Sequence, residues 1–158
     1  KDLGGINRVR RICSRCGFTP DSLRLLDEEE KEGEEKPELE ESDASTMTNH
    51  WARRFANSDF ARLNLARALV MNPECLVMHM PLISFGDSEA RKMLDLMRAH
   101  IDERGLELSI AGRKYRRPRT VFFSSSTLNR CSRSDMVYEV THEHGVRECK
   151  AILAARGW

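Results

Sequence analysis

Between Ser58 and Pro81 the spacing of apolar positions changes once, from helical to continuous. Phe60, Leu63, Leu65, Ala66, Leu69 and Val70 fill more than one narrow stripe, with Arg62 and Arg67 on the face that is left. This pattern predicts a mostly buried helix from Asp59 to Met71. Ser58 is its expected N-cap, and Asp59 follows where negative charge suits the helix dipole. Asn72 and Pro73 stop the helix. Cys75 to Met80 (CLVMHM) is then apolar apart from one His, which predicts a central strand covered on both faces and hence a parallel sheet.

The flanking segments take their places around this unit. Ile6, Val9, Ile12, Cys13 and Cys16 recur at helical spacing up to Gly17, with Arg8, Arg10, Arg11 and Arg15 expected toward solvent. Thr19 and Pro20 read as the N-cap and first residue of a second short helix that carries Leu23, Leu25 and Leu26. Trp51 and Phe55 share one helical face. Asp87 or Ser88 caps a helix running to Glu103, with Met93, Leu94, Leu96, Met97 and Ile101 as its core side and Gly105 as its stop. Thr120 to Ser124 is a second strand, and Thr127 to Ser134 a short helix or turn. Met136 to Val140 and Val146 to Lys150 form a hairpin around His144-Gly145, and residues 151–158 a terminal helix. The expected fold is α/β, with parallel core strands flanked by helices, a C-terminal antiparallel hairpin and an N-terminal helical segment.

Composition narrows the function classes. The 158 residues are 40% hydrophobic and 32% charged, with net charge +1, which suits a core-forming domain and argues against a general nucleic-acid role. No apolar run approaches the ~18 residues of a membrane span, and no signal peptide is visible. Asp27 to Ser45 is strongly acidic and almost without apolar residues, so it reads as a disordered insertion between a helical segment, 1–26, and the main body, 46–158. Five cysteines and no secretory segment point to free thiols in a reducing compartment. Cys13 and Cys16 form a lone CxxC, which is either a pair of partly buried helical thiols or half of a zinc site. The cluster GRKYRRPR (Gly112 to Arg119) is a solvated loop, a partner for the acidic run, or a patch for nucleic-acid phosphates or lipid headgroups.

From Trp51 onward the chain resembles the second half of an ATP-binding-cassette (ABC) ATPase domain. The residues that carry the resemblance are LARAL (Leu65 to Leu69), NPE (Asn72 to Glu74), the strand Cys75 to Met80 with Pro81, the strand RTVFFSSST (Arg119 to Thr127) and the closing hairpin DMVYEVTHEHGVREC. The resemblance implies an incomplete three-layer unit of P-loop-NTPase type, with residues 1–26 as a remnant of the helical subdomain. No GxxxxGK[ST] phosphate loop occurs, and the chain reads as a fragment of a longer protein.

The resemblance also assigns roles, and the residues in those positions are unsuited to them. The family's signature falls on Phe55 to Asp59, so Asn57, Ser58 and Asp59 are the implied nucleotide-facing positions, joined by Asp87 in the loop after the strand. Asp59 brings negative charge to a helix N-terminus meant for a phosphate. The positions of the metal-binding Asp, the general base and the switch His hold His79, Met80 and Ser126. Imidazole is a poor magnesium ligand, a thioether cannot take a proton from water, and a serine hydroxyl carries no charge near neutral pH. No catalytic or metal-binding residue is therefore assigned to this chain, and ATP and magnesium belong to the complete parent domain. The implied partners are a second nucleotide-binding domain and the transmembrane domain of a transporter, at the cytoplasmic face of a membrane. The alternative is a non-catalytic scaffold that keeps the cassette fold without nucleotide.

Overall fold

The computed structural model describes residues 5–24 and 56–149. In order they form α1 (Gly5–Arg15), α2 (Asn57–Met71), β1 (Cys75–Met78), α3 (Asp87–Asp102), a 3-10 turn Ile110–Tyr115, β2 (Thr120–Phe123), a second 3-10 turn Leu128–Cys131, β3 (Tyr138–Thr141) and β4 (Gly145–Glu148). A further helical turn occupies 20–24. β1 and β2 pair in parallel, with Cys75 opposite Thr120 and Met78 opposite Phe123. β3 and β4 pair antiparallel, with Tyr138 opposite Glu148 and Thr141 opposite Gly145. The architecture is thus mixed helix and strand, roughly α/β, with a small parallel sheet and a hairpin. The acidic run, Leu25, Leu26, Trp51, Phe55 and the expected terminal helix lie outside the described residues, as do the boundaries expected at 26 and 45.

Helix boundaries follow from capping chemistry. α2 starts two residues earlier than expected, with Ala56 and not Ser58 as its N-cap. Asp59 explains the shift: its Oδ2 accepts from the Ala56 N–H at 3.1 Å, satisfying that group from inside the first turn. Asn72, in the left-handed region at φ 51°, closes the other end, as its position before Pro73 predicts. α3 is capped by Gly86, where Asp87 or Ser88 was expected, while Asp87 and Glu89 supply the favourable first-turn charge. Gly105, at φ +113°, ends the following turn, and a Cβ there would stand 2.4 Å from Asn72 Oδ1. Thr19 caps the 20–24 turn as expected, its Oγ1 accepting from Ser22 N–H at 3.2 Å.

The core joins α1, α2 and α3 to one face of the parallel sheet, with Ile12, Cys16, Leu69 and Leu106 fully enclosed. Met93, Leu94, Leu96 and Met97 are buried, so the methionines of α3 are core side chains. Two expectations need correction. Arg8 is not on the solvent face of α1 but 1% exposed, whereas Ile6 is 45% exposed. The Arg8 guanidinium donates to the carbonyls of Leu69 and Val70 at the end of α2 and to Leu106, a set of acceptors that only a buried cation with several N–H groups satisfies together.

The second correction concerns β1, which alternates and is not covered on both faces. Leu76 is buried and Met78, Val121 and Phe123 pack on the core, but Val77 and Phe122 are 73% and 58% exposed. These two are register partners, so they stand side by side on the bare face.

Candidate functional site

A groove runs past the carboxyl ends of β1 and β2, lined there by His79, Phe123, Ser124 and Ser125, at the place where ligands of open α/β sheets bind. β1 ends at Met78, and the chain turns through His79 and Met80 into the loop 81–86. Met80 has φ +44°, a left-handed conformation that is costly for a side chain of this size. Its N–H donates to Ser124 Oγ at 3.0 Å, which ties the strained turn to the end of β2. Ser124 Oγ also lies 3.0 Å from His79 Nδ1.

The loop 81–86 is held from both sides. Arg130, in the second 3-10 turn, donates to the carbonyls of Leu82 and Phe85, the latter at 2.9 Å, and lies 3.7 Å from Asp87. Leu82 and Phe85 anchor the loop in the core. On the other side Arg62 stacks over the Phe85 ring at 5.7 Å and bridges Asp59, at 2.6 Å, to Glu89. The N-termini of α2 and α3 are thereby joined through one guanidinium.

The expected site residues are placed as follows. Asn57 and Asp59 lie in the first turn of α2, Asn57 exposed and Asp59 engaged with Arg62 and the Ala56 N–H. Ser58 is half-buried and caps nothing, and Asp87 is exposed beside Arg130. His79 and Met80 are adjacent at the strand end as anticipated. The group that β2 brings to them is Ser124, whereas Ser126 is exposed two residues further along. Strand register decides this: Phe123 pairs with Met78, so the next residue of each strand meets its counterpart.

The chemistry of this corner is limited. Magnesium requires oxygen ligands, and an imidazole beside a thioether does not fit it. Ser124 and His79 have the contact of a nucleophile and a base, but no acidic group orients the imidazole among the described residues. Asp59 and Glu89 are committed to Arg62.

Other candidate residues resolve into structural roles. Cys13 is buried, and Cys16 fully so. Burial raises the Cys13 thiol pKa and, with a smaller contribution from Cys13, pushes that of Cys16 up to about 12. No group of three His, Cys, Asp or Glu suited to a metal forms among the described residues. Of the basic cluster, Arg116 donates to the carbonyls of Glu103, Arg104 and Ser109, each at 2.9 Å. Arg117 pairs with Glu74 at 3.3 Å, and Arg119, nearly buried, donates to Asn72 Oδ1 at 3.3 Å. Pairing with the acidic run lies outside the described residues. No described helix is long and apolar enough to cross a membrane.

Arg8, Arg130 and Ser124 were missed as organising residues by sequence reasoning. Nothing in their local sequence marks them, since each acts on backbone groups or side chains remote in the chain. No family model, curated protein or solved structure matches this chain.

Proposed function

We propose that this chain is the second half of an ABC-type nucleotide-binding domain that has lost its hydrolytic groups. The observation that carries the reading is the half-covered parallel sheet. Parallel pairs occur almost only with both faces covered, and two strands alone form too small a sheet to be independently stable. Val77 and Phe122 are instead exposed together opposite the helical layer. A complementary half bearing the phosphate loop would cover that face and extend the sheet to the three-layer unit of P-loop NTPases. The succession of α2, β1, α3 and β2, with motif-like text at LARAL and NPE, supports the same reading.

On this reading the strand ends supply shape and not chemistry. His79, Met80 and Ser124 form a hydrogen-bonded corner without a carboxylate, and Asp59 would repel a terminal phosphate at the start of α2. Nucleotide would be held chiefly by the complementary half. Hydrolysis would fall to a second, intact nucleotide-binding domain, coupled to a transmembrane domain at the cytoplasmic face of a membrane.

The test is Mg-ATP binding and phosphate release by the protein in its complete natural chain. Nucleotide at about 100 times its Kd should stabilise it by about 2.7 kcal/mol, with turnover at background. Turnover at the rate of an intact cassette overturns the loss of hydrolysis. No ATP-dependent rise in melting temperature overturns nucleotide binding and leaves a scaffold.

A further inference from the structure

Between α3 and β2 the chain makes a short turn, residues 109–116, most of whose side chains are exposed. Ile110 is 87% and Tyr115 80% exposed, the largest exposures among the described large hydrophobic residues. Arg113 and Lys114 stand exposed between them and form no salt bridge with a described carboxylate, while the Lys114 ammonium lies over the Tyr115 ring, 4.9 Å from its centroid.

The turn is braced from below. Arg116 Nη1 donates to Ser109 O across its base, Nη2 and Nε bind the Glu103 and Arg104 carbonyls, and Arg104 Nη1 returns a 2.8 Å bond to Arg116 O. Within the turn, Gly112 N–H donates to Ser109 O and Arg116 N–H to Arg113 O. A Cβ on Gly112 would approach Arg116 Nη1 to 3.3 Å, so the glycine leaves room for the brace. The two apolar side chains are thus held outward without help from any packing of their own, and little ordering is left to be done on contact.

We propose that this turn is a finger that docks on anionic lipid headgroups, with Ile110 and the Tyr115 ring entering the interface and Arg113 and Lys114 meeting phosphates. Charge complementarity selects the occupant: the finger offers cations and no free carboxylate. Its chemistry selects a bilayer over a nucleic acid. An isoleucine at the tip has nothing to offer a phosphodiester chain, whereas aliphatic, tyrosyl and basic side chains together suit the boundary between headgroups and acyl chains. The contact is small, so it is weak and reversible. It does not depend on nucleotide binding.

Flotation of the full chain with phosphatidylcholine vesicles, with and without about one-third phosphatidylserine, tests the proposal, together with amide exchange across 109–116. Binding should require the anionic lipid, weaken as salt rises and slow exchange in the finger. Each charge reversal, Arg113→Glu or Lys114→Glu, should lower partitioning about thirtyfold, and the double variant Ile110→Ser with Tyr115→Ser about tenfold or more. Melting temperature should not change in any of them, because all four side chains are exposed. Equal binding to neutral and anionic vesicles, no vesicle binding at all, or unchanged binding by the charge-reversed variants overturns it. So does salt-dependent binding to an RNA homopolymer that depends on Lys114 while vesicles are ignored.

Discussion

Arg8 and Leu106, 98 residues apart in sequence, are joined by a 2.9 Å hydrogen bond from the guanidinium Nε to the carbonyl oxygen. The same guanidinium closes the end of α2 through Leu69 and Val70. One buried cation therefore fastens α1 to α2 and to the segment after α3, and burial lowers its pKa.

Arg8→Met is expected to destabilise the protein by about 3 kcal/mol, because three carbonyl acceptors lose their donor in a buried site. Arg8→Lys should recover only part of this, since an ammonium cannot span the same acceptors. Urea denaturation midpoints of the two variants check the order.

His100 gives the fold an acid-sensitive point. It is fully buried, its Nε2 lies 3.3 Å from Pro73 O, and its Nδ1 has no partner among the described residues. Desolvation is the main cause that lowers its pKa below 6.5, with smaller contributions from Arg119 and Arg8, opposed by the Pro73 carbonyl. Below pH 6.5 the unfolded chain takes up a proton that the folded one refuses, so stability is complete above that pH and declines as pH falls toward the folded-state value. His100→Phe should flatten this decline, whatever its effect at neutral pH. Melting temperatures of both proteins between pH 7.5 and 5, taken about every half unit, decide it.

Cysteine reactivity should follow burial. Cys75 is exposed, while Cys13 and Cys16 are buried and carry raised pKa values. Thiolate is the reactive form, so iodoacetamide at pH 8 should modify Cys75 first and leave Cys13 and Cys16 untouched until the protein unfolds. Peptide mass spectrometry against time reads the order, and early modification of Cys16 would contradict the α1–α2 packing.

Asp59→Gln should cost about 1–2 kcal/mol and, on the proposed reading, recover no ATP turnover. The carboxylate accepts from Ala56 N–H and from Arg62, and Arg62 is only 14% exposed, so its partner matters more than in a surface pair. Chemical denaturation and phosphate release from the same preparation separate the two effects.

Much of the framework was legible in the sequence. The α2 run with its Asn72-Pro73 stop, the apolar strand after it, the methionine-bearing core face of α3, the second strand and the hairpin all appear near their expected positions. Periodicity reports such elements because each is a local repeat of burial. The start of α2 was misplaced because Ser58 is a good cap by type, while the interaction that sets the boundary is made by Asp59 reaching backward. The solvent placement of Arg8 failed for a similar reason: helical spacing gives a direction around the axis, but not the presence of three acceptors waiting on that side.

At the candidate site the division is sharper. Residue types alone established that His79 and Met80 put an imidazole and a thioether, and no carboxylate, just past the end of β1, because that is a matter of functional groups. Only the parallel register decided that Ser124, and not Ser126, meets them, since pairing is set by contacts between strands more than 40 residues apart. Likewise the basic cluster was visible as composition, but tertiary structure divided it into arginines spent on backbone carbonyls and side chains left facing solvent. Local sequence determined which elements form and what chemistry each side chain carries. Long-range packing determined which of those side chains are consumed in holding the fold and which remain to act, because a hydrogen bond or a covered face exists only between parts of the chain that folding brings together.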